Sequence, residues 1–424
     1  MESTKLERVL ISIGFIILLV IGSFLVGWYF TLRSIWPTPS LSTSLRDVRA
    51  IMAGHKAGSR SQFFYRPAQK VGPREAYKLY DLDEKASGYI AYLGWSHADG
   101  MFAAWLIDSD GNQLNKWLVE KEDYGLKQHA QERPLPHGLT MHPDGSVVVN
   151  FNRGVEGIVS LDRCDNVNWK VEGNFHHPTT KDDEGHIWSW RGKEHEYDLR
   201  QFLVRLDWES GEVLEEISLE DIVKANPTFF TLPIQYEIPA PQNRDAFLTN
   251  DLFHPNEIEA LPSHLAPAFP MFEEGDLLIS LRNINMVAVI SRETYEVKWA
   301  KYGPWVWQHD PDFRGDGRIH VFNNAPKREH TNIIAVDPST NAVEVMHDNS
   351  ATDYFTRVMG AHQVIDDNAN TLVISTLEGR ILELKPDGTL VREIINIATD
   401  SHNGIITNAV WLPNNFFNSS PVCS

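Results

Sequence analysis

The 424-residue sequence predicts an all-β protein: a six-bladed β-propeller preceded by one N-terminal transmembrane helix. Three observations predict it. A phrase of strand, Asp- or Gly-bearing turn and second strand returns six times. A histidine stands near a strand start before five of those copies, and a sixth follows the last copy. An uncharged apolar run fills residues 9–30.

From the N-terminus, residues 1–8 read as a short cytoplasmic tail. Residues 9–30, VLISIGFIILLVIGSFLVGWYF, span roughly 33 Å as a helix, enough for the hydrocarbon core of a bilayer. Trp28, Tyr29 and Trp36 suit an interfacial belt at the far end. The apolar run is longer than the ~7–15 residues of a signal peptide and shows no small-x-small cleavage site, so an uncleaved anchor is expected. Lys5 and Arg8 before the span and Arg33, Arg46 and Arg49 after it do not favour a cytoplasmic N-terminus by charge. That orientation is still expected, because a long domain commonly follows such an anchor out of the cytoplasm. The chain is thus placed in an inner membrane with the propeller on the periplasmic side. Residues 31–79, rich in Ser, Pro and Arg at their start, read as a tether.

Residues 80–412 carry the repeats. The copies are AAWLIDSDGNQLNKW (103–117), IVSLDRCDNVNWKV (158–171), FLVRLDWESGEVLEEI (202–217), VAVISRETYEVKWA (287–300), NIIAVDPSTNAVEVM (332–346) and RILELKPDGTLVREI (380–394). Their turns begin at Asp108, Asp162, Asp207, Ser291, Asp337 and Lys385. Four of the five intervals lie near the ~40–50 residues of a four-stranded blade. The long interval holds an insertion, 218–250, with a helix expected in SLEDIVKAN. Six such units fit a closed propeller, which protects its strand edges. Residues 413–424 read as a tail.

The formal net charge of -19 argues against nucleic acid as partner, because phosphate backbones call for a basic face. Cys164 and Cys423 are the only cysteines, so no zinc-binding Cys/His spacing exists. A disulfide between them is compatible with the sequence but not legible in it.

The recurring histidines are His137, His177 with its neighbour His176, His254, His309, His362 and His402. In a propeller the first strand of each blade lines the central channel. A histidine at each strand start therefore directs six imidazoles to one channel mouth, where they can donate, accept, attack or ligate. A structural role, bonding a neighbouring backbone, is the competing reading, above all for His362 and His402. No carboxylate pair is evident in the register. A histidine ring suits transition metals, but no metal is expected, because the family resemblance described below places Arg282 beside the ring, where it would oppose a cation.

The segments DLFHPNEIEALP, GDLLISLRNINMVAVISRETYEVKWAKYGP and WQHDPDFRGDGRIHVFNN resemble the arylsulfotransferase family of bacterial periplasmic enzymes. The family pattern runs D-W-x-H-x-N, I-I-S-x-R, I-x-R-x-T-G-x-V-x-W, then Q-H-D with a following D/N-N. The resemblance covers roughly residues 85–412 and is strongest over 250–325. It implies a six-bladed propeller that moves a sulfuryl group from a phenolic sulfate ester to another phenol through a transiently sulfated histidine, without a nucleotide cofactor. It implies His309 as nucleophile, with His254, Arg282 and His177 as its catalytic partners. His176, His137, His362 and His402 are left as substrate-binding candidates. Leu252 stands where the family has Trp, and Pro178 replaces the acidic residue of an H-H-D strand. The large N-terminal β-domain of the best-known members is replaced by the anchor and tether. The alternative is a propeller that keeps the fold without the activity, serving as a membrane-tethered binding or assembly module.

Overall fold

A computed structural model describes residues 14–15, 17–23, 64–119, 124–129, 133–192, 200–230, 253–350, 352–365 and 368–423. The chain divides into residues 1–63 and 64–424. In the first unit, residues 14–15 and 17–23 are helical, and Phe15, Ile17, Leu18, Leu19, Val20 and Ile21 are exposed. The rest of the expected anchor, and residues 31–63 of the tether, lie outside the described residues. Among the described residues no helix is long and apolar enough to cross a membrane.

The second unit is all-β and propeller-like. Six antiparallel sheets follow one another along the chain. Sheet 1 holds Tyr89–Ser96, Met101–Asp108 and Gln113–Leu118, with the late strand Ile406–Leu412 added at its inner edge. Sheet 2 runs Pro136–Met141, Val147–Phe151, Val155–Leu161, Val167–Glu172. Sheet 3 runs Phe175–Lys181, Ile187–Arg191, Phe202–Leu206, Val213–Ser218. Sheet 4 runs Pro255–Ala260, Leu277–Leu281, Met286–Ile290, Val297–Tyr302. Sheet 5 runs His309–Phe313, Ile319–Asn323, Asn332–Val336, Val343–Asp348. Sheet 6 runs Ala361–Val364, Thr371–Ser375, Arg380–Leu384, Leu390–Ile395, with Tyr77–Leu79 beyond it. The first strands touch their neighbours in cyclic order, and Ile406–Leu412 touches both Ala361–Val364 and Pro136–Met141.

Strand periodicity explains this stacking. Successive side chains on a strand point to opposite faces. Val147 and Val149 enter a cluster with Leu93, Phe102 and Trp117 of sheet 1, while Val148 between them packs with Ile187 and Val204 of sheet 3. Leu277 and Ile279 likewise face sheet 3, and Leu278 faces sheet 5. Both faces are buried, so these strands read as continuous apolar runs. The repeated turn aspartates have a local cause. Asp108 Oδ1 accepts the backbone N–H groups of Asp110 and Asn112, both at 2.9 Å. Asp162 does the same for Cys164 and Asn166, and Asp337 for Ser339 and Thr340. Each carboxylate replaces missing ladder partners at the hairpin.

The packed body extends past the expected limits of 80 and 412. Tyr65–Pro67 pairs with His402–Gly404, which pairs with Ile397–Thr399 in a separate small sheet. The tail is tied down. Cys164 and Cys423 form a disulfide, and Arg163 Nη1 donates to Ser420 O at 2.9 Å. The bridge closes 259 residues of sequence between the second sheet and the C-terminus. In the insertion, a helix forms over Leu219–Ala225, with Ser218 Oγ accepting from Glu220 N. Residues 231–250 lie outside the described residues. Short 3-10 turns at Ala266–Ala268, Arg282–Ile284 and Thr376–Glu378 add helical turns where none was expected.

Candidate active site

The first strands of four sheets break register at their start. The shifts fall between Pro136 and Leu139, His176 and Thr180, Pro255 and Glu257, and His309 and Pro311. A bulge of this kind re-aims the side chains before it. In three of the strands the break coincides with a left-handed residue before proline: His177 (φ 63°), His254 (φ 47°) and Asp310 (φ 49°). Proline disfavours helical backbone in the residue before it, so these are strained positions. Asparagines and a glutamine hold them. Asn150 Nδ2 donates to His177 O at 2.8 Å, and Asn152 accepts from His177 N. Asn256 Nδ2 donates to Gln308 O at 2.8 Å, and Gln308 Nε2 donates to Met286 O at 3.0 Å.

The bulges bring buried imidazoles together. Ring centroids of His137 and His177 are 5.5 Å apart, and those of His177 and His254 are 4.9 Å apart. His176 stands behind them, with Nδ1 2.7 Å from His177 Nδ1 and Nε2 2.8 Å from Gln201 Oε1. His309 and Arg282 complete the group, and His309 feels the charges of Arg282, His137 and His254. Burial, then the neighbouring imidazoles, hold His177 well below the ordinary histidine range. Burial lowers His137 to about 4. Burial and the Arg282 guanidinium hold His309 well below its ordinary value too. Burial thus favours neutral rings at His137, His177 and His309, beside the permanent cation of Arg282.

The protonation of His309 follows from its partners. Nδ1 lies 2.7 Å from Asn324 Oδ1 and 3.0 Å from Trp307 O. Asn324 is oriented by its own donors, since Nδ2 gives hydrogen bonds to Thr356 O at 2.9 Å and Met359 O at 2.7 Å. Both groups facing Nδ1 are thus acceptors, so Nδ1 carries the proton and Nε2 keeps a lone pair. Arg282 is carried on the 3-10 turn after Leu277–Leu281. Its backbone N–H donates to His254 O at 3.2 Å, and its guanidinium lies 5.1 Å from the Trp307 ring centroid.

The expected ring of six is corrected. His362 and His402 do not join the imidazole cluster. The Ala361–Val364 ladder runs without a register break, so nothing re-aims His362 toward the others. His362 instead faces Asp310, whose Oδ2 accepts from His362 N at 2.6 Å and from Nδ1 at 2.9 Å. His402 precedes the last strand by four residues and is drawn into the separate small sheet, with Nδ1 2.9 Å from Ser401 Oγ. The expectation of no carboxylate pair is corrected as well. Asp310, Asp312, Glu257 and Glu259 cluster in the first strands of sheets 4 and 5. Burial raises Asp310 and Asp312 to about 7, and burial with mutual repulsion raises the two glutamates well above their ordinary range. Sequence reasoning also passed over Asn324, although it is the second residue of the N-N in the family pattern, and Gln201, for which no motif speaks.

The class is thus an all-β, propeller-like protein with buried histidines gathered at the first strands of its sheets. The sequence profile of the family described as Arylsulfotransferase (ASST) matches residues 138–397, well over half of the chain, and the chain belongs to that family. No curated protein matches the chain in sequence. Among solved structures, a protein of unknown function from Bacteroides caccae is similar at a TM-score of 0.50 and 11% identity, covering 76% of this chain and 98% of that one. TolB from Acinetobacter baumannii is similar at 0.45 and 13% identity, covering 77% and 67%. Virginiamycin B lyase from Staphylococcus aureus is similar at 0.34 and 12% identity, covering 61% and 69%. At such identities the likeness concerns the fold alone.

Proposed function

We propose that this chain is a membrane-anchored arylsulfotransferase built on a six-bladed β-propeller. It moves a sulfuryl group from a phenolic sulfate ester to a phenolic acceptor through a sulfated His309, without a nucleotide cofactor. The observation that carries this reading is the free Nε2 lone pair of a buried, neutral His309 beside Arg282. The six-bladed reading rests on the cyclic contacts of the first strands and on apolar clusters between each successive pair of sheets.

In the first half-reaction the Nε2 lone pair attacks sulfur. The sulfur–oxygen bond to the phenol breaks, and its electron pair leaves with the phenolate. Arg282 and His254 hold the sulfuryl oxygens, where charge is spread in the transition state. The bound sulfate monoanion favours protonation of the nearby imidazoles, so that His254 or His177 can give the phenolate its proton. Asn324 and the Trp307 carbonyl then stabilise the positive ring of sulfated His309 through its Nδ1–H. In the second half-reaction an acceptor phenol loses its proton to whichever of His254 and His177 acted as acid, its oxygen bonds sulfur, and the sulfur–Nε2 bond breaks with its electron pair returning to His309. Splitting one transfer into two displacements is the gain of covalent catalysis. His176 and His137 support the acid through the ring contacts described above.

The test uses the purified full chain with para-nitrophenyl sulfate and a phenol acceptor. Nitrophenolate should appear, and protein quenched without acceptor should gain roughly 80 Da, the mass of one sulfuryl group in a covalent intermediate. Neither release nor adduct from several aryl sulfates would leave the binding or assembly module as the reading.

The location is part of the proposal. A helix with exposed Phe15, Leu18 and Leu19 suits a lipid surroundings, and the Cys164–Cys423 disulfide suits an oxidising compartment such as the periplasm. Protease added to spheroplasts should digest the propeller while cytoplasmic proteins survive. Full protection of the propeller sinks the proposed orientation.

A further inference from the structure

Beside the imidazole nest, the first strands of sheets 4, 5 and 6 bring a second set of polar groups together. Asp310, Asp312 and His362 each offer one ligand atom, and these atoms lie within 4.8 Å of one another. The carboxylate cluster alone would carry no inference, since buried acids can share protons. His362 adds an independent observation. Its side chain is fully buried (0% exposed), and its Nε2 has no hydrogen-bond partner. Asp310 Oδ2 accepts from Nδ1 at 2.9 Å, so in the neutral ring Nε2 is a lone pair. That lone pair faces Asp312 Oδ2 at 3.6 Å. Two electron-rich atoms at this distance repel unless a proton or a metal ion lies between them. A metal-bound histidine commonly gives its other ring N–H to a carboxylate, as His362 does to Asp310. Glu257 adds a further buried carboxylate, and its Oε2 also has no partner. Arg314 acts on Glu259 and Asp312 as a permanent cation, and His362 acts on Asp312 as well.

The geometry points to a divalent-cation site formed by His362 Nε2 and Asp312, with Glu257 beside it and Asp310 holding the imidazole from behind as acceptor of its Nδ1–H, taking a metal of the Mn²⁺ type. Two carboxylates with one imidazole fit such an ion: oxygen ligands suit Mg²⁺, Ca²⁺ and Mn²⁺, and the nitrogen selects the transition metal among them. Asp312 keeps 27% of its side chain exposed, which leaves an approach from solvent. The site is structural in role. It would tie the first strand of sheet 6 to the left-handed backbone at Asp310, next to His309. The inference does not depend on sulfuryl transfer.

The experiment strips the full chain with a chelator and titrates it with MnCl₂, following free Mn²⁺ by electron paramagnetic resonance and thermal unfolding in parallel. One Mn²⁺ should bind per chain and raise the unfolding temperature, with Zn²⁺ competing better than Mg²⁺ or Ca²⁺. Asp312→Asn and His362→Gln should each weaken binding on the order of 100-fold, while Asp337→Asn, at a distant exposed turn, should not. Pulsed resonance on the wild type needs no variant: nitrogen hyperfine coupling to bound Mn²⁺ should be seen. No binding of Mn²⁺ or Zn²⁺ to stripped wild type overturns the site. So does binding unchanged in both variants, binding without nitrogen coupling, or a Mg²⁺ or Ca²⁺ preference that survives His362→Gln.

Discussion

His309→Ala should abolish both nitrophenolate release and the sulfuryl adduct, lowering turnover by at least about 10⁴-fold. The size of the effect follows from what alanine removes. Nε2 of His309 is the atom proposed to form the bond to sulfur, and the oriented amide of Asn324 fixes the tautomer that leaves it a lone pair. The loss should come without loss of the fold. His309 opens the Pro311-bearing strand, but that strand is held by Gln308 to Ser280 and Met286 and by Phe313 N to Glu259, and none of these bonds uses the imidazole. Unfolding midpoint and circular dichroism of the variant should therefore stay close to wild type. Binding of the sulfate ester should persist, because Arg282 and the other imidazoles remain. Full activity in His309→Ala would sink the assignment. If the adduct then moves to a peptide containing His254, that residue becomes the nucleophile.

The repeated sheets were legible because two local rules speak directly in sequence. Strands buried on both faces read as apolar runs such as LLISL and MVAVI, and each hairpin carries a residue whose side chain closes the turn, as Asp162 and Asp337 do. The helix expected in SLEDIVKAN forms at 219–225, where Ser218 caps its first turn. What escaped depends on register. Whether a strand-start histidine points into the nest depends on a register break that the sequence does not announce, present at His309 and absent at His362. The carboxylates escaped because Asp310, Asp312, Glu257 and Glu259 lie on two strands far apart in the chain, and an alternating acidic pattern also describes an ordinary solvated strand. The Cys164–Cys423 bridge escaped because a separation of 259 residues says nothing about proximity.

The burial of His137, His177 and His309 bears on how the proposed reaction would run. Several imidazoles packed into a dry space cannot all be charged, since each proton raises the cost of the next. The site therefore cannot meet an arriving sulfate with a row of preformed cations. Only Arg282 is charged whether or not ligand is present. In the proposed reaction the remaining positive charge would come from protons taken up when the anion binds, with the arginine as the fixed element and the histidines as the responsive one.

Arg282→Ala should accordingly lower kcat/KM for an aryl sulfate by about 10²–10³-fold, the usual result of removing one preorganised group at developing charge. Part of the loss should appear in KM, because the sulfate is anionic before reaction, and the larger part in kcat, because charge on the sulfuryl oxygens grows in the transition state. Arg282→Lys should recover only part of it. Lysine keeps the charge but loses the planar fork, which rests over the Trp307 ring at 5.1 Å and keeps its direction through that contact. The turn should survive both changes, since it is closed by backbone bonds from Arg282 N to His254 O and from Asn285 N to Arg282 O. A second effect has the opposite sign for the nucleophile. Without the guanidinium the repulsion holding His309 neutral is weakened, so its affinity for a proton rises, and protonated Nε2 cannot attack. The variant should thus lose activity more steeply than wild type as pH falls. A kcat/KM within twofold of wild type, with an unchanged pH profile, would remove Arg282 from the reaction and leave it as a packing partner of Trp307.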